Sequence, residues 1–144
     1  MTTSTPPALT GRDIGAAARS TNALLQRLLD DADLPFAEWT VLFTLAGSGP
    51  LARGELVRQQ AAGLKVPDSA VEATVAGMVA AGLLAGDDAR LAPTAAGRAV
   101  YQPIRDAVDR ITAELYGDLP RADLEVTRRT LAEVTRRADA LLAG

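Results

Sequence analysis

The stretch GLKVPDSAVEATVAGMVAAGLLAGDDARLAPTAAG, residues 63–97, decides the fold of this chain. Its apolar residues recur at three- and four-residue intervals, the spacing of one helix face: Val71, Val75, Met78 and Val79. Gly82 interrupts this pattern, and Gly86, Asp87 and Asp88 then separate two short apolar runs. The stretch therefore predicts a helix followed by a very small β-hairpin.

Helical periodicity continues on both sides of this stretch. A first helix begins near Thr10, which forms a capping-box pattern with Asp13, and ends between Asp30 and Asp33. Pro35 suits the first turn of a second helix. The remaining predicted helices carry apolar residues at helical spacing. They span residues 36–46, 94–117 and 121–142, and a shorter one begins at Leu51 or Arg53 and ends at Ala62. Residues 1–9 are polar and contain proline, which predicts a disordered arm.

The composition makes several classes of function improbable. Without cysteine there are no disulfides, thiolate metal sites or cysteine nucleophiles, and without histidine the commonest general base and zinc ligand are missing. We therefore predict no catalytic residue, no cofactor and no metal site. Any catalysis would depend on tyrosine, arginine or carboxylates.

Charge and hydropathy limit the possible partners of the protein and its cellular location. The net charge of -3 does not attract phosphate, so contact with nucleic acid would require a local basic patch. The first nine residues lack the features of a signal peptide, and no apolar run reaches membrane-spanning length. We expect a soluble, cytoplasmic protein with no membrane partner.

The long helices near the two ends of the chain carry apolar seams. The last helix carries its seam at alternating steps of three and four residues: Leu124, Thr127, Leu131, Val134, Ala138 and Leu141. A small central core cannot cover such seams. They therefore predict burial against a second copy of the chain, in a homodimer.

The order of these elements resembles the MarR family of winged-helix transcription regulators. The resemblance covers essentially the whole ordered chain, and its motifs are GELV at 54–57, V-x-x-x-V-x-x-M at 71–78, Gly-Leu-Leu at 82–84 and T-A-A-G-R at 94–98. It implies a mainly α fold: a winged helix-turn-helix lobe with a very short β-hairpin wing, plus long N- and C-terminal dimerisation helices. Within one domain, 10–144, the lobe spans residues 35–97 and the dimerisation helices span residues 10–33 and 98–144.

The resemblance also implies double-stranded DNA as a partner, read by the fourth helix. Residues on the third and fourth helices and the hairpin are the DNA-binding candidates: Arg53, Arg58, Gln59, Lys65, Ser69, Glu72, Thr74 and Arg90. Where the family usually places hydroxyls and an arginine, this helix has Ala70, Glu72 and Ala73. The wing carries two aspartates against one arginine. Carboxylates that face DNA phosphates weaken binding, so we expect reduced DNA affinity.

In the resembled family, the second helix and the start of the fifth border a ligand pocket. The candidate ligand-binding residues are Phe36, Trp39, Phe43, Tyr101 and Arg105. Aromatic rings suit a flat apolar molecule and Arg105 suits an anionic group, although core packing and ion pairing also explain such residues.

Two functions stay open. The first is a dimeric MarR-like regulator that binds DNA and responds to a small apolar or aromatic ligand. The alternative is a MarR-fold protein that has lost DNA binding and acts as a small-molecule-binding protein or enzyme.

Overall fold

The computed structural model describes residues 5–144, which form six helices and one two-stranded antiparallel sheet. In chain order the elements are α1 (Gly11–Asp31), α2 (Phe36–Ser48), α3 (Arg53–Leu64), α4 (Asp68–Ala80), β1 (Leu84–Asp87), β2 (Arg90–Pro93), α5 (Ala95–Tyr116) and α6 (Arg121–Ala143). The hairpin between the fourth and fifth helices confirms the predicted winged helix-turn-helix fold. Of the predicted arm, residues 1–4 lie outside the described residues, and residues 5–9 form neither helix nor strand.

The helix ends follow from local chemistry. At the start of α1, the Thr10 backbone N–H donates to the Asp13 carboxylate over 3.0 Å, as the capping-box pattern predicts. Helix α2 runs two residues beyond the predicted end and stops at Gly49, whose φ of 79° favours glycine. Helix α3 also extends further than predicted, and it ends at Lys65 in a left-handed conformation with φ of 59°.

The described chain divides into two compact units, with the boundary after Val108. The core of the first unit is built from apolar side chains of α1 to α5 and the hairpin: Leu29, Leu34, Trp39, Val41, Leu42, Leu45, Leu56, Val57, Ala61, Val71, Val75, Met78, Leu84, Leu91 and Ile104. Val79, predicted to lie on the inner face of α4, is 39 % exposed. The core contacts α4 along Val71, Val75 and Met78, and Val79 lies beside that line.

The hairpin is attached to the start of α3. Strands β1 and β2 pair from Leu84 opposite Pro93 to Asp87 opposite Arg90. Leu51, just before α3, forms an additional antiparallel bridge with Leu91. These bonds fix the position of the hairpin next to the first turn of α3.

The T-A-A-G motif connects the hairpin to α5. The Thr94 hydroxyl donates to the Gly82 carbonyl over 2.6 Å and accepts the Gly97 backbone N–H over 3.1 Å. It therefore caps α5 and fixes the chain that leaves α4. A Cβ atom at Gly97 would lie 2.3 Å from the Leu83 carbonyl oxygen, so this position requires glycine.

The second unit contains the last part of α5 and all of α6. No side chain of α6 is buried, although several of its apolar residues lie at helical spacing. Val126 is 51 % exposed, Leu131 36 % and Val134 42 %. Within residues 5–144, no helix combines the length and the apolar character needed to cross a bilayer.

Candidate DNA-reading face and ligand-binding residues

Helices α3 and α4 form a helix-turn-helix in the first unit. The left-handed Lys65 ends α3, and the Val66 backbone N–H donates to the Ala61 carbonyl over 3.1 Å, which closes the turn before α4. On α4, Val71 and Val75 are buried, whereas Ser69 is exposed. The outer face of α4, which we define as Ser69, Glu72, Ala73 and Ala76, is open to solvent. This is the geometry that a helix needs in order to enter a DNA groove.

Arg53, at the start of α3, is paired with acidic residues of α4 and the wing. Its Nε donates to the Glu72 carboxylate over 3.2 Å, and its Nη1 lies 4.0 Å from the Asp88 carboxylate. The Arg53 side chain is only 26 % exposed, compared with 47 % for Glu72. The guanidinium positive charge is therefore largely balanced before any phosphate approaches.

Arg58 and Gln59 share one carboxylate on their own helix. Arg58 Nη2 and Gln59 Nε2 each donate to Glu55 over 3.0 Å. The hydrogen bond from Gln59 and the bond and charge of Arg58 lower the pKa of the Glu55 carboxyl. Glu55 thus stays ionised and partly neutralises the basic side of α3.

The other DNA-binding candidates lie on different elements, and one of them faces the inner side of α4. Lys65, Ser69 and Arg90 are exposed on the turn, on α4 and on β2. The half-buried Thr74 lines a half-open cavity, and its hydroxyl donates to the Ala70 carbonyl of the same helix over 3.2 Å. Thr74 therefore lies on the inner side of α4 and does not belong to its outer face.

Three of the predicted ligand-binding aromatics meet between α2 and α5. We call them, together with Arg105, the aromatic cluster. Trp39 is 4 % exposed and stacks on Tyr101 with ring centroids 5.1 Å apart. Phe43 lies 6.0 Å from Trp39 by ring centroids and is 46 % exposed. The Arg105 guanidinium carbon lies 5.3 Å from the Phe43 ring centroid, which is the distance of a cation–π contact.

Phe36, the fourth predicted aromatic, lines a different space. The resemblance to the MarR family implied that it joins Trp39, but it borders a half-open cavity of about 270 Å³ between α2, α3 and α4. We call this the α2–α4 cavity. Gln60, which is not among the residues predicted from the sequence, also lines it and is 7 % exposed. The three- and four-residue steps from Val57 and Leu56 were the signal that places Gln60 on the inner face of α3.

Comparisons with known proteins identify the fold. No protein-family model matches the chain, and no curated protein resembles it in sequence. Ligand-free NadR is similar in structure, with a TM-score of 0.75, 22 % identity, and coverage of 93 % of this chain and 98 % of that chain. NadR in complex with 4-hydroxyphenylacetate has a TM-score of 0.71 with 22 % identity, over 93 % of this chain and 97 % of that chain.

A MarR family protein from Mycobacterium tuberculosis, in complex with DNA, is similar with a TM-score of 0.60 and 21 % identity, over 90 % of this chain and 98 % of that chain. A MarR family protein from Bacillus stearothermophilus has a TM-score of 0.65 and 17 % identity, over 92 % of this chain and 99 % of that chain. This chain therefore has the MarR winged helix-turn-helix fold, as its sequence motifs predicted.

Proposed function

We propose that this chain is a MarR-type transcription regulator of the cytoplasm that binds double-stranded DNA as a homodimer. The observation that carries the proposal is the placement of α4, which is fixed to the core by Val71 and Val75 and leaves its outer face open. Solved proteins of the same fold include one in complex with DNA. The outer face would enter the major groove, as the second helix of a helix-turn-helix does.

Sequence reading would depend on a few side chains of α4. Ser69 can donate to or accept from a base edge, and Glu72 can accept a hydrogen bond from a cytosine amino group. Arg58, Lys65 and Arg90 would contact phosphates from α3, the turn and the wing. Since Arg53 already pairs with Glu72, it would position that carboxylate more than bind phosphate.

The aromatic cluster is our candidate effector site. Phe43 offers an exposed ring and Arg105 a cation beside it, which together suit an aromatic molecule with an anionic group. Among proteins of this fold, NadR has been crystallised with 4-hydroxyphenylacetate, an aromatic carboxylate. Trp39 and Tyr101 stack on each other, so a ligand would contact their edges or separate them.

Selection of bound duplexes from a random DNA library, at low salt and then at increasing salt, tests the proposal. We expect an enriched two-fold symmetric sequence, with half-sites about one helical turn apart, and affinity that falls as salt rises. The absence of any enriched sequence and of any binding at low salt would reject DNA binding. Titration with 4-hydroxyphenylacetate, followed by Trp39 fluorescence, tests the effector site separately.

The pairing of Arg53 with Glu72 and Asp88 favours a second candidate function. In this alternative the fold has lost DNA binding and serves as a small-molecule-binding protein or an enzyme. Of the cationic DNA candidates, Arg53 and Arg58 both lie against carboxylates, and the wing adds acidic charge. Retained binding of an aromatic carboxylate by a protein that binds no DNA at low salt would support this alternative.

A further inference from the structure

The α2–α4 cavity lies apart from both the outer face of α4 and the aromatic cluster. Helix α2 contributes Phe36 and Val41 to its wall, α3 contributes Gln60, and α4 contributes Val71 and Thr74. Its volume is about 270 Å³. An engineered apolar cavity of about 150 Å³ already binds benzene, so this space is large enough for a molecule of one or two rings.

Gln60 provides a buried polar group in this apolar wall. It is 7 % exposed, and among residues 5–144 it is the one polar residue that is buried. Its amide nitrogen donates to the Thr44 hydroxyl. An amide group has two donor hydrogens and two acceptor lone pairs, so a single bond leaves capacity for a second partner. A ligand that forms this second bond would be held in one orientation.

The charge of the wall sets the chemistry of the ligand. None of the described residues that line the cavity is acidic or basic. The wall offers an ion no opposite charge, and each part of an ion that enters it loses water, so neutral molecules are favoured over anionic and cationic ones. The aromatic cluster differs, since Arg105 provides a cation there.

We propose that the α2–α4 cavity is a binding site for a small, neutral, aromatic molecule that carries one hydrogen-bonding group and pairs with the Gln60 amide. This site goes beyond the proposed function, because occupancy requires neither DNA nor an anionic effector. The bound molecule contacts Val71 and Thr74, on the inner side of the helix whose outer face is open. Occupancy can therefore be measured on the protein alone.

Indole, which is neutral and has a single N–H donor, is a suitable probe. Leu64, Val66 and Val71 line the cavity and carry methyl groups, so methyl-labelled protein reports occupancy by NMR. We expect saturable shifts of these three methyl signals. The methyls of Val126 and Val134, in the second unit, serve as the reference and should stay unchanged.

Two variants on α4 provide a matched test. Both alanines are exposed, but Ala70 lines the open side of the cavity, whereas Ala76 lies on the outer face of the same helix. Ala70→Phe should fill the space and weaken indole binding at least about tenfold, and Ala76→Phe should leave it unchanged. Equal affinity of the two variants, or indole shifts confined to methyls outside the cavity, would overturn the proposal.

Gln60→Leu tests the hydrogen bond without filling the cavity. It should weaken indole about tenfold while binding of toluene, which forms no hydrogen bond, is retained. Benzoate should not shift the cavity methyls in the original protein. If benzoate binds in the cavity as tightly as indole, the site is not selective for neutral molecules. If a folded Gln60→Leu variant loses both indole and toluene binding, the amide does not have the proposed role. These tests use no DNA, so their failure is distinguishable from failure of the proposed function.

Discussion

Arg53 and Glu72 form the contact that most affects the proposed DNA-binding face. They lie on different helices, and their 3.2 Å ion pair directs an arginine toward a carboxylate of α4. Because phosphate contacts supply most of the non-specific affinity for DNA, this pair lowers the charge available for binding. In the proposed DNA complex the pair would also hold Glu72 in place for a base contact, and a substitution separates the two roles.

Glu72→Gln removes one negative charge and releases Arg53. If repulsion dominates, the variant should bind all duplexes more tightly, and the salt dependence of log K should steepen by about one unit of slope. Fluorescence anisotropy with selected and random duplexes measures both effects. Glu125→Gln, a change of the same charge on α6, is the control. Weaker binding to the selected duplex alone would instead identify Glu72 as a base-reading residue.

Glu133 on α6 shows the effect of two arginines on one carboxylate. Hydrogen bonds from Arg136 and then Arg137 lower the pKa of Glu133 from 4.5 to about 2. Because the pKa of Glu133 is lower in the folded state, the ionised carboxylate stabilises the folded protein above pH 4.5. This stabilisation is lost as the pH falls toward about 2.

Carboxyl 13C NMR of Glu133 should therefore show titration near pH 2. In Arg136→Gln the pKa should move back toward 4.5, because the largest cause of the shift is removed. Arg121→Gln, which breaks an ion pair elsewhere on α6, should leave the Glu133 titration unchanged. A Glu133 titration that is insensitive to Arg136→Gln would refute the assigned cause.

At the scale of elements, the hairpin and the start of α5 behave as one connected structure. Thr94 bonds to Gly82 on one side and caps α5 on the other, while Gly97 lets the helix approach the Leu83 carbonyl. The direction of α5 relative to the end of α4 therefore depends on the absence of one methyl group.

Gly97→Ala should destabilise the protein by about 1–3 kcal/mol, since its Cβ would lie 2.3 Å from a backbone oxygen. Gly77→Ala on α4 is the matched control. Its Cβ would meet nothing within 4 Å, and alanine in a helix interior is favoured by about 0.5–1 kcal/mol. Urea unfolding measures the two changes, and equal stability of the two variants would refute the close approach at Gly97.

The sequence predicted the elements better than the contacts between them. Local periodicity identified α4 correctly through Val71, Val75 and Met78, and local turn chemistry identified the hairpin. The pairing of Arg53 with Glu72 joins residues 19 positions apart, so no local pattern reports it. Phe36 and Trp39 share helical spacing, yet Phe36 borders the α2–α4 cavity and Trp39 stacks on Tyr101, because packing around α2 involves more than one side.

At the scale of the whole molecule, the exposed apolar residues of α6 support the homodimer that we propose. A helix without any fully buried side chain gains less hydrophobic stabilisation from its own chain than a core helix does. Burial of residues such as Leu131 and Val134 against a second copy would supply it.

Leu131→Asp should convert the dimer to a monomer, because a carboxylate cannot be buried unpaired in an apolar interface. Light scattering after size-exclusion chromatography gives the molar mass directly. Ala140→Asp adds the same charge at an exposed position on the opposite side of α6 and should remain dimeric. If the unsubstituted protein is a monomer, the proposed dimer is rejected. If the Leu131→Asp variant remains a dimer, the interface does not include Leu131.

The bridge between Leu51 and Leu91 should also slow the separation of the wing, the β1–β2 hairpin, from α3. Leu51 and Leu91 exchange two backbone hydrogen bonds of 3.1 and 2.7 Å, and the Arg53 amide donates to the Asp88 carbonyl over 2.8 Å. Lifting the hairpin away from α3 must break all three bonds together. Their amide hydrogens should therefore exchange with deuterium at a common rate, and that rate would measure how often the wing opens.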